Sequence, residues 1–150
     1  MNRMMQLKAR LNNLAKSWHV PAQAVLQLYM QERLLERVSL SPYNRVVVLK
    51  GGMLVASVLG VESRTTMDMD ATLRGYPLGL ETVLMMLSAI CKIELDDDTR
   101  LAVGSIFPIR EDNTYGGLRA ALTAYRGEIR PPLKLDLTTG DVITPQPEVI

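Results

Sequence analysis

The stretch from Val46 to Leu73, VVVLKGGMLVASVLGVESRTTMDMDATL, contains the two segments that indicate the fold. Its first four residues, Val46–Leu49, are apolar and mostly β-branched, and branching at Cβ favours a buried strand over a helix. The strand ends before Gly51 and Gly52, and residues 53–59 have the composition of a short apolar helix. The pattern predicts a strand, a glycine turn and a helix whose N-terminal backbone N–H groups can bind an anionic phosphate.

The segment that follows alternates polar and apolar side chains. Thr66, Asp68 and Asp70 are separated by methionines, and a period of two places all three polar side chains on one face of a strand. Two carboxylates this close repel each other, and a hard divalent cation with oxygen ligands compensates for that repulsion. We therefore expect Asp68 and Asp70 to bind Mg²⁺ or Mn²⁺, which, next to a phosphate-binding turn, is what nucleotidyl transfer requires.

The composition is that of one globular domain. A net charge of +1, from 17 basic and 16 acidic residues, provides no global field for nucleic acid or membrane, so any RNA contact requires a local patch. The single cysteine, Cys91, excludes an internal disulfide and a cysteine-rich zinc site. No apolar run approaches the roughly 18 residues of a membrane span, and the N-terminus lacks the pattern of a signal sequence. We expect a cytoplasmic protein with no membrane partner.

Hydrophobic spacing along the rest of the chain predicts an α+β fold. Apolar residues at steps of three and four predict two helices, over about residues 3–17 and 21–38, that form a hairpin with Pro21 at the corner. We expect this N-terminal helical hairpin, residues 1–40, to pack on a small mixed β-sheet core, residues 41–150, that is flanked by helices.

Four further elements are expected within that core. They are a helix over residues 78–91, a strand over 101–109 ended by Pro108, a strand or short helix over 118–125, and a strand over 133–138. The last strand places Lys134, Asp136 and Thr138 on one face. Between the helix and the first of these strands, Asp96, Asp97 and Asp98 are expected to form a solvated turn, because consecutive side chains on a regular strand cannot all face one ion.

Several of these residues also form an ordered set of motifs. The set resembles the AbiEii/AbiGii toxin family of polymerase-β-like nucleotidyltransferases, and it comprises Lys50-Gly51-Gly52, Arg64-x-Thr66-x-Asp68-x-Asp70 and Lys134-x-Asp136-x-x-x-Gly140-Asp141 with Pro145, preceded by Glu32–Arg37. The resemblance implies a nucleotidyltransferase core and transfer of a nucleoside monophosphate from an NTP to a hydroxyl. It also implies an RNA acceptor, the 3′ end of a tRNA or another RNA, and a bacterial toxin–antitoxin or phage abortive-infection system with a separately encoded antitoxin.

The resemblance assigns roles to individual residues. Asp136 would supply the third carboxylate of the metal site and would accept the proton of the attacking hydroxyl or align that hydroxyl. Thr66 would contact the nucleotide or be itself modified, with strand propensity as the alternative. Lys50 and Arg64 would contact phosphate, although Lys50 could equally reach solvent and Arg64 could hold the acidic strand in place.

Two other functions are compatible with the same residues. Members of the family are usually about twice as long, with a helical C-terminal half that carries a further lysine and aspartate, so the chain is expected to correspond to the N-terminal core. The first alternative is therefore a catalytically incomplete module that binds nucleotide or protein. The second is a phosphotransferase that uses the same metal site.

Overall fold

The computed structural model describes residues 2–49, 69–109 and 116–139. Within these residues, helices and strands follow one another in the order that the sequence predicts. The described helices are α1 (Arg3–Trp18), α2 (Ala22–Leu40) and α3 (Leu80–Cys91), and the described strands are β1 (Val47–Leu49), β2 (Met69–Leu73), β3 (Arg100–Ile109), β4 (Gly117–Tyr125) and β5 (Pro132–Thr139). The predicted α+β class is confirmed, and residues 118–125 adopt the strand rather than the helix.

The N-terminal helices form the predicted hairpin. Asn2 caps α1 by accepting a hydrogen bond from the Met5 N–H at 2.8 Å, and the helix ends at His19 in the left-handed conformation, with φ 58°. Leu7 and Leu11 of α1 pack against Val25 of α2. No helix within the described residues combines the length and apolar character that crossing a membrane requires.

The described strands form one mixed sheet in the order β1-β2-β5-β4-β3. Strands β2 and β5 are parallel, and the other three neighbouring pairs are antiparallel. Strand β5 comes last in the described sequence but lies at the centre of the sheet, between β2 and β4. The strand that carries Asp70 and the strand that carries Asp136 are therefore direct neighbours.

The two faces of the sheet differ in polarity. One face packs against α2 and α3, and its buried side chains include Met69, Ala71, Leu73, Ala120, Leu122, Ala124, Leu133, Leu135 and Leu137. Because successive side chains of a strand alternate between faces, the residues between these project from the other side. They are Asp70, Thr72, Arg119, Ala121, Thr123, Tyr125, Lys134, Asp136 and Thr138, and apart from the exposed Lys134 they are half-buried. This polar face carries the candidate site.

Two details of the predicted strands are wrong. The segment Val46–Leu49 was expected to be a buried strand, but β1 is an edge strand among the described ones, and Val48 is 38% exposed. Pro108 does not end β3, since it is paired with Leu118 of β4 within the strand. Among the described strands β3 is an outer one, and a proline, which lacks an N–H, is tolerated in an outer strand. The predicted glycine turn and the helix over residues 53–59 lie outside the described residues.

Asp97 departs from its expected position in a solvated turn. Its side chain is buried and accepts hydrogen bonds from Arg37 Nη1 on Oδ2 and from Arg37 Nη2 on Oδ1, both at 3.1 Å. Arg33 Nη1 and the Thr99 N–H donate to the same carboxylate at 3.2 and 3.0 Å. The side chain of Asp96, in contrast, is 96% exposed. The expectation was therefore wrong for Asp97, because the sequence does not show that α2 brings two arginines to this loop.

The Arg37 guanidinium joins separate parts of the fold. It is 1% exposed, and besides Asp97 it donates to the carbonyls of Ile93 and Thr99 at 3.0 and 2.9 Å. From the opposite side, Arg126 Nη1 donates to the Asp97 carbonyl at 2.7 Å. A buried charge of this kind is tolerated only when it is paired and fully hydrogen-bonded. The network, which we call the Arg37–Asp97 network, connects α2 to the loop before β3 and to the residue after β4.

Replacing Asp97 with asparagine should destabilise the fold strongly. The substitution leaves the buried Arg37 without its counter-ion, and breaking a buried pair in this way costs about 3 kcal/mol. The matched control is Asp96→Asn, one residue earlier and exposed, which should change the free energy of unfolding by less than about 0.5 kcal/mol. Urea unfolding followed by circular dichroism measures both. Equal stabilities for the two variants would show that the Arg37–Asp97 network contributes little.

The contribution of Asp97 should also disappear at acidic pH. Burial by itself raises the pKa of Asp97, but hydrogen bonds from Arg37, the Thr99 amide and Arg33, together with the Arg37 charge, hold this pKa below its usual value. A carboxylate with a lowered pKa in the folded state stabilises the fold above its unfolded pKa of about 3.9, and the stabilisation is lost as the pH falls through the folded value. The difference in unfolding free energy between wild type and Asp97→Asn should therefore be full above about pH 5 and should shrink steadily below it.

Candidate active site

Two of the predicted carboxylates lie side by side on the polar face of the sheet. Asp70 on β2 and Asp136 on β5 are register partners in the parallel pairing of the two strands. Register partners on neighbouring strands project from the same face, and the strands are about 4.8 Å apart. The buried neighbours Met69 and Ala71 fix this orientation, because a slip of one residue would place apolar side chains in solvent and the carboxylate in the core.

Arg119 is a site residue that the sequence analysis missed. It is the register partner of Asp136 on β4, and its Nε and Nη2 donate to Asp136 Oδ1 and Oδ2 at 2.7 and 2.9 Å. Such a two-point pairing of guanidinium and carboxylate fixes both groups in one plane. The alternation along β4 indicates which face Arg119 occupies, but only the register of β4 against β5 places it opposite Asp136.

A row of side chains crosses the polar face from β3 to β2. Its members are Phe107, Arg119, Asp136 and Asp70, each the register partner of the next. The side chains of Asp136 and Arg119 are 18% and 34% exposed, and the aromatic ring of Phe107 at the end of the row is 45% exposed. We call this set the carboxylate row. It places two acidic groups and one basic group where solvent and small molecules can reach them.

The carboxylate row has the donor chemistry of a divalent-cation site. Adjacent acidic side chains on neighbouring strands repel each other, and Arg119 forms an ion pair with Asp136, with Nε 2.7 Å from Oδ1. Carboxylate oxygens are the ligands that Mg²⁺ prefers. Within the described ranges no group of three histidine, cysteine or acidic residues could hold a metal ion, and the third predicted ligand, Asp68, lies outside them.

The phosphate-binding half of the predicted site lies outside the described residues. It consists of Lys50, Gly51, Gly52, Arg64 and Thr66. Their assignments stay predictions.

A second feature of the polar face is a cluster of cations around one tyrosine. The guanidinium carbons of Arg100 and Arg130 lie 5.1 and 5.7 Å from the centroid of the Tyr125 ring. Both distances are within the range of cation–π attraction. Tyr125 is six residues from Arg119 along β4, or about 20 Å at the usual rise of a strand. We call this set the Arg100–Tyr125–Arg130 cluster.

Cys91 is not poised for chemistry. Burial raises the pKa of its thiol to about 11, although the nearby Arg37 charge acts in the opposite direction. The thiolate is the nucleophilic form of cysteine, and a thiol with this pKa is almost entirely protonated near neutral pH. Cys91 is therefore not a candidate nucleophile, and the carboxylate row remains the candidate active site.

The protonated state of Cys91 can be measured directly. At about pH 8 the native thiol should react with Ellman's reagent at least about 200-fold more slowly than an ordinary cysteine, from the ratio of the two thiolate fractions. Unfolding in urea should restore the ordinary rate. Because Cys91 is the only cysteine of the sequence, Cys91→Ser supplies the blank, and a fast native reaction would contradict the assignment.

One protein-family model matches most of the chain. The model of the family described as the nucleotidyl transferase AbiEii toxin of type IV toxin–antitoxin systems matches residues 33–150. The match begins within α2 and includes every strand of the described sheet. No curated protein matches the chain.

Proposed function

We propose that this chain, which belongs to the AbiEii family of nucleotidyl transferase toxins of type IV toxin–antitoxin systems, transfers a nucleoside monophosphate from an NTP to a hydroxyl of an RNA. The observation that carries the proposal is the register pairing of Asp70 with Asp136 on one polar face. Family membership supports the nucleotidyl transfer, and the two paired carboxylates supply ligands of the kind that a nucleotide-bound Mg²⁺ or Mn²⁺ uses.

Asp70 and Asp136 hold the cation in this proposal, with Asp68 as a further ligand. When bound there, a divalent cation would supply charge neutralisation on the triphosphate and would lower the pKa of the attacking hydroxyl. Asp136 accepts one hydrogen bond on each oxygen from Arg119, and a carboxylate oxygen has a second lone pair. Asp136 can therefore also orient the acceptor hydroxyl. The new bond joins that hydroxyl oxygen to the α-phosphorus while the hydroxyl proton passes to Asp136, the bond to the β-phosphate oxygen breaks, and pyrophosphate leaves.

The phosphate contacts follow the sequence predictions. Gly51 and Gly52 receive the triphosphate on their backbone N–H groups, and Lys50 and Arg64 supply positive charge. Thr66, two residues before Asp68 in the alternating segment, contacts the nucleotide. A side-chain hydroxyl or a backbone N–H at these places donates to a phosphate oxygen, which is the interaction that glycine-rich turns provide in other phosphate sites.

The RNA acceptor has its own support in the Arg100–Tyr125–Arg130 cluster. Aromatic rings and guanidinium planes stack on unpaired bases, and the arginine charges attract the phosphate backbone. The cluster is on the same sheet face as the carboxylate row, about 20 Å along β4. We propose that it binds the single-stranded 3′ end of the acceptor, a tRNA, whose terminal hydroxyl then reaches Asp136. The reaction takes place in the cytoplasm, and a separately encoded antitoxin counteracts it.

The decisive experiment uses NTPs labelled at the α- or the γ-phosphate. Incubation of the chain with each NTP, Mg²⁺ and total RNA should label the RNA from the α-position alone. Asp70→Asn and Asp136→Asn should each lower the rate by at least about a hundredfold, since each removes a carboxylate that would hold the cation at the reacting phosphate. Asp96→Asn removes an equal charge from an exposed loop and should leave the rate unchanged.

Other outcomes identify the competing functions. Label transferred from the γ-phosphate would show a phosphotransferase instead. Stabilisation of the fold by a nucleotide without any labelled product would show a binding module. Unfolding of Asp70→Asn and Asp136→Asn in circular dichroism would assign these residues to structure rather than catalysis.

The acceptor proposal predicts a specific defect in RNA binding. The double variant Arg100→Gln/Arg130→Gln should bind a fluorescein-labelled single-stranded 12-nucleotide RNA about tenfold more weakly by fluorescence anisotropy. Loss of two phosphate contacts should also reduce the slope of log affinity against log salt by about 1.4. The affinity for a labelled NTP should not change, because the cluster lies far from the carboxylate row.

The matched control removes the same charge elsewhere. Lys8→Gln/Lys16→Gln changes two exposed lysines of α1 and should retain the RNA affinity of the wild type. If the two double variants lose equal affinity, the RNA responds to net charge, and the Arg100–Tyr125–Arg130 cluster is not its binding site.

A further inference from the structure

Arg119 is placed to act on more than the orientation of Asp136. Its guanidinium occupies both oxygens of the carboxylate that the proposed reaction assigns to the cation. At the same time its side chain is 34% exposed, on the face of the sheet that a triphosphate would approach. The Arg119 guanidinium would therefore interact electrostatically with both the cation and the nucleotide.

These two ligands respond to Arg119 in opposite ways. A divalent cation beside Asp136 is repelled by the guanidinium and must share the carboxylate with it. An anionic triphosphate is attracted by the same guanidinium charge, whose position the two-point pairing with Asp136 fixes. The pairing with Asp136 thus weakens the site for a free cation and strengthens it for a cation that arrives with a nucleotide.

We propose that Arg119 is a positioning residue that makes the carboxylate row selective for a metal–nucleotide complex over the free metal ion. The inference rests on the proposed function. Without nucleotide, Arg119 holds Asp136 aligned and partly compensates its charge, so the free cation binds weakly. With nucleotide, the negative charge of the triphosphate offsets the guanidinium, and Asp70 and Asp136 would hold the cation together with the nucleotide.

Two substitutions separate the charge of Arg119 from its geometry. Arg119→Gln removes the charge and should tighten the binding of Mn²⁺ alone about tenfold, since a unit charge a few ångströms from a divalent ion has an effect of this order in a partly solvated site. Arg119→Lys retains the charge but lacks the fork. It should therefore leave the affinity for Mn²⁺ near that of the wild type, and nucleotidyl transfer should fall in both variants.

Electron paramagnetic resonance of free Mn²⁺ measures the binding without any need for activity. Titrations are carried out with and without a non-hydrolysable NTP analogue on the full chain, and the Mn²⁺ that the same analogue binds without protein is subtracted. In the wild type the analogue should increase the affinity for Mn²⁺ strongly, and in Arg119→Gln this increase should shrink. Arg10→Gln removes an equal charge from an exposed position of α1 and should behave as the wild type.

The outcomes distinguish this inference from the proposed function. If Asp70→Asn and Asp136→Asn bind Mn²⁺ as the wild type does, the row is not a metal site and the proposed function fails with the inference. If those variants lose Mn²⁺ binding but Arg119→Gln binds Mn²⁺ no more tightly than the wild type, the inference alone is overturned. Near-ultraviolet circular dichroism of Arg119→Gln confirms that the site face has kept its structure.

Discussion

The buried pair of Arg37 and Asp97 is the interaction that holds α2 against the start of the outer strand β3. Arg37 belongs to α2, yet two partners of the pair adjoin neighbouring strands of the sheet: Thr99 immediately precedes β3, and Arg126 immediately follows β4. Between them, Arg100 and Tyr125 are the first register partners of the β3–β4 pair. These contacts hold one end of the β3–β4 pair, while the register of β4 against β5 places Arg119 opposite Asp136. The ion pair in the core is thus connected to the strand that carries Arg119.

Side chains alternate along each strand, so one face of the sheet packs in the core and the other is available for binding. Side chains that face α2 and α3 are leucine, alanine and methionine, and their burial supplies the hydrophobic driving force. The intervening positions are free to carry charge because they contribute little to that core. On β2, β4 and β5 these positions are Asp70, Arg119 and Asp136, brought together from three segments of the chain. The carboxylate row therefore exists only when all three strands are paired.

Local patterns predicted much of this arrangement. Helical spacing located α1, α2 and α3, and the period of two along β4 and β5 assigned Asp136 to the face opposite the leucines. What the sequence could not provide was pairing between distant segments. The contact of Arg119 with Asp136 depends on a register, the burial of Asp97 depends on two arginines from α2, and the edge position of β1 depends on the strand order. Each is a consequence of tertiary contacts, which leave no periodic signal in either segment alone.

The central place of β5 has a consequence for how the protein is made. During synthesis on the ribosome, β2, β3 and β4 leave the exit tunnel before β5, yet β2 and β4 are neighbours only through it. Until residue 139 has emerged, Asp70 and Arg119 lie on strands that β5 does not yet join, and their partner Asp136 is not in place. The carboxylate row therefore cannot assemble on an unfinished chain that is still attached to its ribosome.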